Sequence, residues 1–120
     1  MAKADDIQER LVGLAAEAIK ICDALPPERA GGHIAGQLLR SATSGAANYA
    51  EARGAESNND FLHKLKLVLK ELNETLVWLD LVGRSEMIPK ERLAPVQEEC
   101  RVLCRIIAAS ITTVKRKCEG

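Results

Sequence analysis

Residues 38–79 read LLRSATSGAANYAEARGAESNNDFLHKLKLVLKELNETLVWL, and this stretch decides the fold. A short break at residues 54–57, GAES, divides it into two segments. In each segment apolar residues recur at spacings of three and four, which is the spacing of one face of an α-helix. The stretch is therefore predicted to form two long helices joined by a tight turn, and the rest of the chain is expected to cover them.

The break between these two helices carries signals for a helix end and a helix start. Arg53 and Gly54 supply a cation and a residue suited to a left-handed C-cap. Ser57, with Asp60 three residues later, resembles a capping box. Beyond the break, apolar residues at spacings of four and three form the seam of a helical bundle. These residues are Phe61, Leu65, Val68, Leu72, Leu76 and Leu79.

The first helix of the pair has an unusual polar side. One arc of its helical wheel, roughly 100° wide, holds Gln37, Arg40, Ser41, Ser44, Asn48 and Glu51. Ser and Asn are poorer helix formers than the residues that usually cover a solvated face, so close packing against this arc is one interpretation. Three alternatives stay open: a solvent face on which Ser and Asn are tolerated, a subunit contact, and a contact with a ligand or nucleic acid.

Two further helices flank this pair. A seam from Ile7 to Leu25 predicts the first helix, and Pro26-Pro27 ends it. Pro27 is also suited to the first position of the next helix. Near the other end Pro89 can start the last helix, in which Pro95 predicts a kink or a break. The four helices are expected over residues 5–25, 27–53, 58–83 and 89–117. The prediction is one all-α domain, an antiparallel up-down-up-down four-helix bundle.

The composition agrees with a helical protein. Of the 120 residues, 47% are hydrophobic and only 2% are aromatic, so the core must be aliphatic and small, which favours helix over sheet. No apolar run approaches the roughly 18 residues that would span a bilayer. The start, MAKADDIQER, has acids where a signal peptide has bases. We therefore expect a cytoplasmic protein without a membrane partner.

The four cysteines fall at or near apolar helical positions, where a free cysteine behaves as a small hydrophobe. They are Cys22, Cys100, Cys104 and Cys118. Cys100 and Cys104 are four residues apart, so a metal-binding pair is an alternative. Zinc requires two more ligands, and none occurs at metal-binding spacing. No metal and no cofactor are therefore expected.

The sequence contains no complete catalytic arrangement. There is no Gly-rich phosphate loop and no nucleophile with its base at a recognisable spacing. Glu71 and Glu74 lie three residues apart, with Lys64 and Lys70 within two turns, and such carboxylates could act as an acid and a base. Ion pairs on a helix surface are far commoner at this spacing. The chain is predicted not to be an enzyme.

Charge makes any contact with nucleic acid weak. The formal net charge is zero, whereas a dedicated nucleic-acid binder is usually basic. Residues 1–60 hold 6 Lys and Arg against 9 Asp and Glu, and residues 61–120 hold 11 against 8. Binding would therefore be mainly to phosphate, through charge that assembly concentrates. The candidate surface for nucleic acid or another partner comprises Arg40, Ser44, Asn48, Glu51, Arg53, Lys64, Lys66 and Lys70.

Apolar residues that lie off the main seams predict self-association. On the third helix a second flank carries Leu67, Trp78 and Val82 together with Glu71. Scattered apolar residues are normal on a protein surface, but a contiguous exposed flank usually marks an interface. The candidate subunit interface therefore comprises Leu67, Glu71, Trp78 and Val82.

The central third of the chain resembles a known bacterial family in three runs: RSATSGAANYAEA at 40–52, SNNDFLHKL at 57–65 and LKELNETLVWL at 69–79. This is the four helix bundle protein family, which includes proteins encoded in intervening sequences of 23S ribosomal RNA genes. It is also similar to accessory proteins found beside some reverse transcriptases. Gly45 and Ala52 depart from residues common in the family.

The resemblance implies a four-helix bundle assembled as a homopentamer, no established enzymatic activity and a suspected nucleic-acid role. We therefore predict a non-enzymatic homo-oligomeric interaction module. Its partner besides itself is expected to be RNA, DNA or a protein that handles nucleic acid. The alternative is a protein-binding scaffold or adaptor that makes no contact with nucleic acid.

Overall fold

The structure, a computed structural model, describes residues 3–119. Its four helices are α1 Ala4–Ala24, α2 Arg29–Arg53, α3 Asn58–Arg84 and α4 Lys90–Glu119. No strand occurs within residues 3–119. Short connections make successive helices antiparallel, each packs against the next, and α1 meets α4. The predicted all-α up-down-up-down four-helix bundle is confirmed.

The four helices do not pack equally. α2 and α3 make the most extensive contact, and α1 and α4 make the least. Ion pairs fix the register of the α1–α4 pair, since Arg10 lies 2.6 Å from Glu99 and Arg92 lies 3.7 Å from Glu17. In this register the start of α1 lies opposite the middle of α4. The second half of α4 therefore extends beyond α1, and the molecule is elongated, with extents of 50 × 23 × 21 Å.

Aliphatic side chains fill the core, as the composition predicts. The largest fully buried residues include Leu11, Ile21, Leu38, Leu65, Leu72, Leu79, Leu93, Leu103 and Ile107. They lie on all four helices at the spacings of three and four that define the predicted seams. Phe61 and Leu76 belong to the predicted α3 seam but are only half-buried at its edge. Within residues 3–119, no helix has the length and apolarity needed to cross a membrane.

All eight helix ends lie within two residues of the predicted ones. The Oγ of Ser57 accepts a hydrogen bond from the backbone N–H of Asp60 at 3.0 Å, so the predicted cap of α3 is present. The predicted left-handed cap of α2 is wrong, because Gly54 has a φ of −94°. Pro27 does not begin α2 either, since it lies in a bend with Glu28 and the helix begins at Arg29, which has a φ of 24°. Pro95 lies inside α4 without ending it.

A buried polar pair joins α2 to α3. The hydroxyl oxygens of Ser41 and Thr75 lie 2.9 Å apart, and both residues are fully buried. Each hydroxyl also lies near a carbonyl of its own helix, at 3.3 Å from Leu38 and 2.8 Å from Glu71 respectively. A hydroxyl that is hydrogen-bonded in this way costs little to bury. Ser41 therefore belongs to a packing surface, although the helical wheel placed it on the polar arc.

Candidate interaction surfaces

The polar arc of α2 faces α3 of the same chain. The guanidinium of Arg40 reaches Glu71, with Nη1 to Oε2 at 3.1 Å, and also pairs with Glu74. Glu71 is enclosed, with 13% of its side chain exposed. The indole N–H of Trp78 donates to Glu74 at 3.2 Å, and its ring meets His33 edge to face. Arg40 and both carboxylates are therefore engaged inside the chain.

At its other end, the arc forms a second ion pair with α3. The Nζ of Lys64 lies 3.0 Å from Glu51. On the next corner of the bundle, Arg53 donates to Asp5 at 2.5 Å and to Gln8 at 2.8 Å. Arg40, Arg53 and Lys64 were predicted to contact phosphate, but each already has an acidic partner in the chain. Ser44 and Asn48 lie half-buried along the arc between the two ion-pair groups.

The other two predicted lysines point away from the bundle. Lys66 and Lys70 are exposed on α3, and within residues 3–119 neither forms an ion pair. Further along the same side, Val77 is 55% exposed and Leu81 is 40% exposed. With His63, these residues form what we call the outer face of α3: His63, Lys66, Lys70, Val77 and Leu81. Its first half is basic and its second half is apolar.

α4 adds positive charge beside this surface. Arg101 lines one cleft with Val77, which places it beside the outer face of α3. Arg101 and Arg105 both approach Glu98, at 3.5 and 3.6 Å. One carboxylate is thus shared by two guanidinium groups, and an excess positive charge remains. The sequence analysis did not identify these arginines, although their spacing of four residues on a polar side of α4 is a signal that could have found them.

A second exposed apolar patch lies along α1 and α2. Val12, Ile19 and Leu39 are all substantially exposed. The contacts of Arg53 with Asp5 and of Cys22 with the Ala35 carbonyl set the register of the two helices. In that register Ile19 and Leu39 lie at the same level, so the patch crosses from one helix to the other. This patch was missed because its residues lie on two helices, and the sequence does not show which sides of those helices are adjacent.

The flank that was predicted as the subunit interface requires a correction. Val82 is not on an outer flank, because it is fully buried. It follows Thr75 and Leu79 at spacings of four and three, and these residues form one buried row facing the core. Leu67 and Trp78 are half-buried and so remain partly accessible. The exposed apolar residues of α3 are instead Val77 and Leu81.

The described part of the chain offers limited possibilities for metal binding. Between residues 3 and 119, there is no group of three or more His, Cys, Asp or Glu residues that could hold a metal ion. All four cysteines are free: Cys100 is buried, Cys22 and Cys104 are half-buried and Cys118 is exposed. Cys100 and Cys104 are the pair that shares one helix face.

Comparisons with known proteins agree with this architecture. A crystal structure of a protein of unknown function from the S23 ribosomal protein family of Bacteroides thetaiotaomicron shares 30% sequence identity, with a TM-score of 0.81. The similarity covers 88% of this chain and 97% of that one. Among curated proteins no match is found. The model of the 23S rRNA-intervening sequence protein family matches residues 4–109. The chain is therefore a member of the 23S rRNA-intervening sequence protein family.

Proposed function

We propose that this protein is a non-enzymatic interaction module that associates with copies of itself and contacts the phosphates of RNA or DNA weakly. The outer face of α3 is the observation that carries this proposal, because it combines an exposed apolar half with a basic half on one helix. Burial of Val77 and Leu81 against another copy would remove apolar surface from water. The adjacent lysines of several copies would then be brought together.

The basic half suits phosphate better than bases. Lys66 and Lys70 have no acidic partner in residues 3–119, and Arg101 and Arg105 share one. Lysine and arginine side chains bind phosphate oxygens irrespective of sequence. With only one Trp, one Tyr and one Phe in the chain, a stacking platform for bases is not expected. Sequence preference should therefore be slight.

A protein-binding scaffold without nucleic-acid contact is the second candidate function. The ion pairs of Arg40, Arg53 and Lys64 favour it, because they reduce the positive charge that phosphate can reach. The ion pairs of Arg40 also argue against catalysis, since they engage Glu71 and Glu74, the two carboxylates that could have acted as an acid and a base. Titration with nucleic acid separates the two candidates.

The first prediction concerns self-association. At micromolar concentration, wild-type protein should have a mass that is a multiple of the 13.1 kDa chain, and five copies is the number that the family resemblance implies. Val77→Asp/Leu81→Asp should shift this mass strongly towards 13.1 kDa, because a buried unpaired carboxylate is costly at an interface. Light scattering coupled to size-exclusion chromatography measures both.

A matched control variant tests whether the position of the new charges, and not merely their number, dissociates the assembly. Ala108→Asp/Thr112→Asp adds two carboxylates to exposed positions of α4 and should leave the assembly intact. Wild-type protein that stays at 13.1 kDa would refute self-association. An assembly that survives Val77→Asp/Leu81→Asp would place the interface elsewhere and remove the role proposed for the outer face of α3.

The second prediction concerns nucleic acid. Labelled RNA and DNA should bind at low salt and dissociate as salt rises, because binding releases counterions from phosphate. Lys66→Glu/Lys70→Glu should weaken binding roughly tenfold or more and lower the slope of log affinity against log salt by about two. Fluorescence anisotropy at two or more salt concentrations provides both quantities.

The control for this titration reverses the same number of charges elsewhere. Lys20→Glu/Lys90→Glu changes exposed residues near the opposite end of the bundle and should have a much smaller effect. Binding that ignores salt and the Lys66→Glu/Lys70→Glu change would exclude the phosphate mechanism. The absence of binding at low salt would leave the scaffold function as the better explanation.

A further inference from the structure

Two outer faces of the bundle carry exposed apolar residues, and they lie on helices that do not pack together. One is the outer face of α3, with Val77 and Leu81. The other, which we call the outer stripe of α1, consists of exposed residues at spacings of three and four: Glu9, Val12, Ala16, Ile19 and Asp23. Within residues 3–119, α1 packs against α2 and α4 but not against α3. The two helices therefore lie on a diagonal of the bundle, and each outer face is free to meet a different copy.

The outer stripe of α1 has an acid at each end of its apolar part. Glu9 precedes Val12 by three residues, and Asp23 follows Ile19 by four. Within residues 3–119, neither acid forms an ion pair, and the ion pairs of α1 involve other residues of the helix: Asp5, Arg10, Glu17 and Lys20. The stripe therefore presents two apolar side chains between two free carboxylates.

Basic groups border the apolar half of the outer face of α3. Arg84 follows Leu81 by three residues, and Arg101 of α4 lies beside Val77. Arg101 shares an acidic partner with a second arginine, and Arg84 pairs with the exposed Asp80 four residues before it. Exposed pairs of this kind contribute little stability, so both arginines remain available to carboxylates of another chain.

Net charge shows the same contrast over the whole molecule. The half of the chain that contains α1 and α2, residues 1–60, holds 6 basic against 9 acidic residues, a net charge of −3. Residues 61–120 hold 11 against 8, a net charge of +3. Contact between the α3 faces of two copies would bring like charges together, whereas contact between the α3 face of one copy and the α1 stripe of another brings opposite charges together. Charge therefore favours two different faces in one contact.

Given the self-association proposed above, on which this inference rests, we propose that the outer face of α3 in one copy binds the outer stripe of α1 in the next copy. Val77 and Leu81 lie against Val12 and Ile19, and the acids at the ends of the stripe lie near the arginines that border the α3 face. Because each copy still presents its second face, the contact repeats head to tail, and the assembly closes into a ring when the rotation between neighbours permits it.

This arrangement leaves the basic half of the α3 face uncovered. From its centre at Ala16, the stripe extends seven residues to either side, which is about 10 Å at the rise of an α-helix. When the stripe lies along α3 and is centred between Val77 and Leu81, Lys66 and Lys70 lie beyond its end. All copies in a closed ring have the same orientation, so these lysines form one basic rim that phosphate can reach.

The test mixes two variants, each of which lacks one of the two faces. Val77→Asp/Leu81→Asp removes the α3 face, and Val12→Asp/Ile19→Asp removes the α1 stripe. Each variant alone should have a mass of 13.1 kDa, because every contact needs both faces. An equimolar mixture should form a complex of two chains and stop there, because one intact face remains on each variant. High micromolar concentrations are required, since one contact is weaker than a closed ring of them.

Light scattering coupled to size-exclusion chromatography measures these masses. If two α3 faces met instead, Val12→Asp/Ile19→Asp alone would keep the mass of wild-type protein, and this result would overturn the head-to-tail contact. A mixture that stays at 13.1 kDa would overturn it too. Wild-type protein at 13.1 kDa would refute self-association itself, so the two failures are distinguishable.

A charge variant tests the contact without altering any apolar residue, so it remains informative even if an aspartate variant does not fold. Glu9→Lys/Asp23→Lys should lower the mass towards 13.1 kDa, most strongly at low salt, because the new lysines face the arginines of the next copy. The control Glu28→Lys/Glu56→Lys reverses two exposed acids outside both faces and should have little effect. Equal effects of the two variants would contradict the placement of the α1 stripe at the contact.

Discussion

Replacement of Leu72 by alanine should lower the free energy of unfolding by about 2–5 kcal/mol. Leu72 is 0% exposed, and it lies where three helices meet. On the α2 side, the atom closest to a Cβ added at Gly45 would be the Cδ2 of Leu72, at 3.8 Å. On the α4 side, the backbone carbonyl of Leu72 accepts a hydrogen bond from the Cys100 thiol. Alanine would leave a cavity that rigid helix backbones on two sides cannot close. Urea denaturation followed by far-ultraviolet circular dichroism measures the change.

Leu39→Ala is the matched control for this prediction. It removes the same atoms from a neighbouring helix, but Leu39 is 41% exposed and lies outside the outer face of α3, so little apolar area is returned to water and no cavity forms. The loss should stay below about 1 kcal/mol. Self-association makes apparent stability depend on concentration, so both variants must be compared at one protein concentration. Equal losses would contradict the placement of Leu72 in the core.

A second large effect is expected at the start of α2. Gly31→Ala should destabilise the protein by about 1–3 kcal/mol. A Cβ at this position would overlap the backbone carbonyl oxygen of Pro26, which cannot move aside as the end of a flexible side chain could. Either α2 must start later or the turn through Pro26 and Pro27 must shift. The melting temperature, measured by circular dichroism, reports the loss.

The control substitution lies five residues further along the same helix, and its effect on stability is expected to have the opposite sign. At Gly36 an added Cβ meets nothing within 4 Å, so Gly36→Ala should raise stability by about 0.5–1 kcal/mol through helix propensity alone. If both variants destabilise the protein, or if neither does, the close approach of α2 to Pro26 is not the reason for glycine at position 31.

Periodicity predicted most of the fold because burial and periodicity have the same cause. A residue such as Leu65 or Leu103 is buried where an apolar row faces the bundle axis, and the row is visible along the chain. Local chemistry also predicted the cap at Ser57, because the hydroxyl and the N–H it accepts from are three residues apart. The start of α2 was predicted two residues early, since the close approach of Gly31 to the Pro26 carbonyl depends on the fold and is not visible in the preference of Pro27 for the first helical position.

The candidate surface was harder to predict because it depends on which helix faces which. The wheel of α2 placed Arg40 and Ser41 on one polar arc, but it contains no information about Glu71 and Thr75 across the helix boundary. Arg40 was therefore taken for a free cation, and the element that packs against Ser41 was left open. Val82 was misplaced for a related reason, because it was grouped with Trp78 on a flank and not with Leu79 in the buried row. Pairing between helices is the information that one helical wheel lacks.

The unequal contacts among the helices have a kinetic consequence. Three of the four adjacent pairs join helices that are neighbours in the chain, and only the α1–α4 pair brings together distant segments. Local contacts form quickly, whereas contacts between distant segments require the closure of a long loop. We therefore expect the α2–α3 hairpin to nucleate folding and the docking of α1 on α4 to come late. A chain of this kind should fold fast, and its unfolding should begin at the contact between α1 and α4, which is the least extensive of the four.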